Sequence, residues 1–181
     1  MKIVPLVEHP DLVALVSAWD FKVWGHLAPG DTPERREAKI REMLNVDCIP
    51  ATFVAIDEGG GGIGTAALVF DDLEGDPRNP WLASVYVPPE HRKKGVASAL
   101  VRTVEDAARR FGYARLFLYT ASARALYAGL GWRPLEQRAY RGEHIQVMDR
   151  ALLGRGHGGG SALSVDRRGR AASEGAQAFI G

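Results

Sequence analysis

WLASVYVPPEHRKKGVASALVRTVEDAARRFGYARLFLY, residues 81–119, carries three elements in succession, and its reading decides the fold. Trp81-Leu-Ala-Ser-Val-Tyr-Val87 is short, apolar and β-branched enough to predict a mostly buried strand, which Pro88 and Pro89 stop. Val96, Leu100, Val104 and Ala108 then recur at four-residue spacing, with Ala97, Val101, Ala107 and Phe111 widening the stripe, so 96–111 reads as a long amphipathic helix. Gly112 closes it, and Arg115-Leu-Phe-Leu-Tyr119 reads as a second strand. Strand, crossover helix and strand make a right-handed parallel βαβ unit, at one end of which a ligand can bind.

Working outward toward the N-terminus, Ala51–Ile56 and Ile63–Phe70 are two β-rich runs joined by Asp57, Glu58 and four glycines, hence a hairpin. The glycine run is a turn and not a phosphate loop, because no helix follows it. Lys2–Leu6 predicts a first strand, and Asp11–Trp19 a helix through Leu12, Leu15, Val16 and Trp19. Thr32-Pro33-Glu34 is a helix start, with Thr as N-cap and Pro at the first position, leading to an end near Asn45. Toward the C-terminus, Ala123–Ala128 reads as a short helix, and Arg133–Tyr140 and His144–Leu152 as a hairpin around Arg141-Gly142-Glu143. From Gly154 to Gly181 the sequence is rich in glycine and arginine, and the segment reads as a flexible tail following a folded domain of residues 1–153.

The turn between strand and helix carries the chemistry. A diphosphate needs converging N–H donors in a positive field, and the first turn of a helix supplies both through its unpaired amides and its dipole. Arg92, Lys93 and Lys94 add charge there, while Gly95 and Ala97 keep side chains small where backbone must approach the anion. The letters alone, Arg, two variable residues, Gly, one variable residue and Ala, imply anion binding only. About 30 residues on comes Leu126-Tyr127-Ala-Gly-Leu-Gly131-Trp132. This pair of motifs in this order, in strand-loop-helix context, resembles the GNAT superfamily of N-acetyltransferases over about residues 50–150.

The resemblance implies an α/β fold with a mixed, splayed seven-stranded sheet, the gap between the fourth and fifth strands holding the pantetheine arm of acetyl-CoA. It implies that backbone groups of Val85, Tyr86 and Val87 bond the pantetheine and that the segment Arg92, Lys93, Lys94, Gly95, Val96, Ala97 and Ser98 holds the pyrophosphate. Tyr127 matches the family position of the general acid, and a phenol is protonated at pH 7. The amine must first lose a proton, because an alkylammonium is no nucleophile at neutral pH. Residues 81–87 lack the carboxylate that several members carry on the fourth strand, and the nearest acids are Asp71, Asp72 and Glu74, with Asp72 the candidate base. The stretch Phe21–Leu27, read as the connection between the first two helices, would form the acceptor wall, with Trp24 and His26 facing the acceptor and Trp81 joining them. The alternative to an enzyme is a module that binds acetyl-CoA without turning it over.

Composition narrows the classes. Twenty-three Lys and Arg against 22 Asp and Glu leave a formal charge of +1, without the basic excess that nucleic-acid binding usually shows. Cys48 is the only cysteine, which excludes an intramolecular disulfide, and it reads as a small buried hydrophobe. The N-terminal residues read without a leader, no run is long enough to span a membrane, and the expectation is a cytoplasmic monomer or homodimer acting on a small-molecule or peptide amine without a metal.

Overall fold

A computed structural model describes residues 1–152, so the expected tail at 154–181 lies outside the described residues. The elements in chain order are β1 (Lys2–Pro5), α1 (Val13–Trp24), α2 (Pro33–Glu42), β2 (Ala51–Ile56), β3 (Gly62–Val69), β4 (Trp81–Tyr86), α3 (Val96–Arg110), β5 (Arg115–Thr120), α4 (Arg124–Gly129), β6 (Arg133–Tyr140) and β7 (Glu143–Ala151). They build one seven-stranded sheet in the order β1-β2-β3-β4-β5-β7-β6, the mixed sheet expected from the sequence. Among the described residues only β4 and β5 run parallel, and α3 is the crossover between them.

Helices cover both faces, which is why the central strands read as continuous apolar runs and not as alternating ones. Along β5, Leu116 and Leu118 face α3 with Leu100, Val104 and Met148, whereas Phe117 and Tyr119 face the α1–α2 side with Val13, Val16 and Ile40. Thr32 caps α2 as expected, its hydroxyl accepting from the Arg35 amide at 3.3 Å. Two local readings are corrected. Phe21–Trp24 is not a connection but the last turn of α1, followed by a single 3-10 turn over Gly25–Leu27. The apolar residues of α1 lie all round the helix, so spacing alone gave no stop signal before Gly25. Cys48, expected inside, is exposed.

Strand β4 contains a bulge. Val69, Leu68 and Ala67 pair with Trp81, Leu82 and Ala83, but Thr65 pairs with Tyr86, so β4 holds one residue more than β3 across this interval. Ser84, with φ 50°, takes up the irregularity in the left-handed region. One extra residue reverses every later side chain. Hence Leu82 faces the α3 core and Ala83 the α1–α2 core, yet Val85 and Val87 face α3 again, while Tyr86 turns to Trp19 of α1 at 5.7 Å between ring centroids.

Candidate active site

β4 and β5 share a single register pair, Trp81 with Phe117, and diverge beyond it. Trp81 locks this junction: it is fully buried, its indole N–H donates to the Arg78 carbonyl at 2.6 Å, and its ring meets Phe117 and Tyr119 at 5.8 and 6.2 Å. The divergence opens a cavity of about 620 Å³ that passes through the sheet, since Val23 and Trp24 of α1 line it from one face and Leu126 and Tyr127 of α4 from the other. Val85, Tyr86 and Val87 form its β4 wall, and Arg92, Lys93, Gly95, Val96, Ala97 and Ser98 close one end. Nine of the ten residues expected to hold a coenzyme therefore come together. Lys94 stands apart, its ammonium donating to the Glu90 carbonyl at 2.9 Å.

The closing loop is built to present amides. Lys93 and Gly95 both take left-handed backbone, φ 59° and 80°, and Gly95 is the N-cap of α3, whose first intrahelical bond runs from Ala99 N–H to the Gly95 carbonyl at 3.0 Å. The amides of Val96, Ala97 and Ser98 belong to the first turn and have no intrahelical acceptor. Arg92 is fixed from behind, its Nε donating to the Val87 carbonyl at 2.9 Å. Unpaired helix amides, a positive dipole end and a guanidinium around one opening make an anion site.

Tyr127 sits at the other side of the cavity, 5% exposed, and burial pushes its phenol well above the usual tyrosine range. It stays protonated throughout the neutral and moderately alkaline range. Its ring meets that of Trp132 edge-on at 6.1 Å. Trp24, 1% exposed, borders the same cavity, and its indole N–H has no acceptor among the described residues. His26 is exposed and Trp81 enclosed, and neither reaches the cavity lining.

Behind the α1 wall lies a buried polar cluster. Asp72 is buried and neither of its carboxylate oxygens has a hydrogen-bond partner among the described residues. Loss of water pushes its carboxyl well above the ordinary range, opposed by Lys39 and reinforced by Asp20. Asp71 and Glu74, the other acids of that loop, are exposed. Sequence reasoning missed Asp20. It lies one turn before Trp24 on α1, receives Arg36 Nη1 at 2.7 Å and shares a side-chain hydrogen bond with Ser84 at the bulge. Burial outweighs both of these and raises its carboxyl. The one available signal was an acid inside the apolar run Val13–Trp24, where a charge without a partner would be costly.

Residues 15–132 match the model of the acetyltransferase (GNAT) family. Human N-acetyltransferase 8 is 40% identical over 75 residues, which are 39% of this chain, and the match spans only 33% of that relative's length. An aminoglycoside 6'-N-acetyltransferase solved with coenzyme A superposes with a TM-score of 0.66 at 16% identity, over 87% of this chain and 100% of the other. A spermidine/spermine N-acetyltransferase from Vibrio cholerae gives 0.62 at 16% identity, over 83% and 94%. At these identities the solved structures speak for the fold.

Proposed function

This chain belongs to the GNAT acetyltransferase family, and on that premise we propose that it transfers an acetyl group from acetyl-CoA to the amine of a small molecule or peptide. The observation that carries the reading is the cavity through the splayed sheet, with an amide-lined anion site at one end and a buried, protonated phenol at its side. The backbone of Val85–Val87, left without a neighbour strand by the divergence, serves the pantetheine arm, and Gly95–Ser98 with Arg92 and Lys93 serve the pyrophosphate. The aminoglycoside acetyltransferase solved with coenzyme A supports this placement through the shared fold.

In the reaction the amine nitrogen bonds to the thioester carbonyl carbon, the carbon–sulfur bond breaks, and the thiolate takes a proton. Tyr127 is the proton donor to that sulfur: its buried phenol is protonated at neutral pH, and the phenolate it leaves is reprotonated from solvent before the next turnover. Asp72 is the base for the amine proton, directly or through water, and its carboxyl, more basic than an ordinary aspartate, favours that role. Trp24 contributes the acceptor side, with an indole N–H available to a carbonyl oxygen. We place the enzyme in the cytoplasm as a monomer or homodimer; no helix among the described residues is long and apolar enough to cross a membrane.

Thiol release from acetyl-CoA against a panel of aminoglycosides, polyamines, amino acids and peptides tests the activity. Turnover with at least one amine, lost in Tyr127→Phe at unchanged coenzyme affinity, is expected. Tight coenzyme binding with no turnover on any amine would return the reading to a binding module.

A further inference from the structure

We propose that Glu105, a residue of α3 outside the cavity, positions the Tyr127 phenol through Trp132; the proposal rests on Tyr127 being the proton donor. Helix α4 spans only Arg124–Gly129, too short to hold its own place, so what its ends are tied to sets where Tyr127 points. At its start the Ala123 amide donates to the Thr120 hydroxyl at 3.0 Å. At its end the Trp132 amide donates back to the Tyr127 carbonyl at 3.0 Å, and the Trp132 ring packs edge-on against the Tyr127 ring.

Trp132 is in turn fixed by a carboxylate. Its indole N–H donates to Glu105 Oε1 at 2.9 Å, a bond between two buried side chains 27 residues apart. Arg109 Nη2 lies 3.5 Å from Oε2 and Arg150 Nε 3.8 Å from Oε1, so the carboxylate is held from two directions. Arg150 also donates to the Gly131 carbonyl at 2.8 Å, in the same turn. Gly131 takes left-handed backbone at φ +87° in that turn, a conformation that would strain any other residue.

A neutral acceptor would satisfy the indole with less desolvation. A carboxylate gives a charge-assisted bond, shorter and stiffer, and the arginines fix its plane. Stiffness at Trp132 matters because a displacement of about 1 Å in a reacting group can cost on the order of 100-fold in rate. Glu105 touches neither cavity nor substrate and is therefore a positioning residue.

The test is a double-mutant cycle read by kcat, with coenzyme affinity measured by calorimetry to establish that each variant is folded. Trp132→Phe keeps an aromatic ring and the backbone bond but removes the N–H donor, and Glu105→Ala removes the acceptor. Each should lower kcat about ten-fold with KM for acetyl-CoA within two-fold, and Glu105→Gln, which still accepts, should restore most of the loss. In the Tyr127→Phe background neither change should lower kcat further. Undiminished kcat in both single variants, or the same loss with and without the phenol, overturns the positioning role. Undiminished kcat in Tyr127→Phe alone overturns the proton-donor reading, and the proposal with it.

Discussion

Replacing Gly95 by Ala separates backbone strain from coenzyme recognition. Gly95 has φ +80°, and a Cβ built on it meets nothing within 4 Å, so the methyl clashes with no protein atom and the stability cost is the left-handed conformation itself. That conformation costs an L-residue roughly 1–2 kcal/mol. Reduced freedom of the unfolded chain returns about 0.4–1 kcal/mol, leaving a net loss near 1 kcal/mol. For a domain of this size such a loss lowers the melting midpoint by about 2–4 °C. The open space is the cavity's own, however, because Gly95 lines it. A methyl there holds a phosphate off the α3 amides. Weakening one hydrogen bond to a charged group, about 1.5–3 kcal/mol, raises the Kd for coenzyme A roughly ten- to 150-fold. Gly112→Ala is the control: it has φ +85°, equally open surroundings, and lies at the far end of α3. Scanning calorimetry and titration calorimetry on both variants should show equal thermal losses and a coenzyme defect in Gly95→Ala alone. Equal Kd values in the two variants would refute the anion site, and an unchanged melting midpoint in both would refute the strain.

Other predictions follow from the buried charges and the core. Asp72→Asn should lower turnover yet raise stability at pH 7, by about 1 kcal/mol or more, since it removes a buried carboxyl whose desolvation outweighs the attraction of Lys39 and which has no hydrogen-bond partner among the described residues. The sign is set by a folded-state pKa above the unfolded one: the Asp72 contribution is fully present below about pH 4 and lost as pH rises, so the gain should vanish in acid denaturation curves. Arg36→Met takes the paired guanidinium from the buried Asp20, leaving it the Ser84 hydrogen bond, and should cost roughly 3–5 kcal/mol in urea unfolding. Leu100→Ala, at a fully buried site facing the sheet, should cost roughly 3–5 kcal/mol in the same assay. Because the Tyr127 phenol is pushed up, its ionisation should impose no alkaline fall on kcat up to pH 10.

The βαβ unit was legible because its signals are local. Four-residue spacing marks α3, paired prolines end the preceding strand, and the run 115–119 is too short and apolar to be a helix. The anion loop was legible for the same reason, since its residues are contiguous. What stayed hidden depends on residues distant in sequence. The bulge at Ser84 is a mismatch between two strands and leaves no mark in either one. Asp20 is explained by Arg36 across 16 positions, and Glu105 by Trp132 across 27. The end of α1 was misplaced because a helix apolar on every side gives no phase from which to read a boundary. His26 and Trp81 show the limit of reading aromatic density as a binding wall: one projects into solvent and the other welds two strands together.

That weld gives β4 two clocks. Along one side, Trp81, Leu82, Ala83 and Tyr86 pair with β3 around the bulge; along the other, the single pair at Trp81 leaves the gap-facing peptide groups of residues 82–86 without a strand partner. Amide deuterium uptake should therefore be slow at the groups bonded to β3 and fast at those facing the gap. A molecule seated in the gap would slow the fast set toward the slow one, so the gap-facing amides of β4 form a built-in gauge of occupancy that needs neither a chromophore nor turnover.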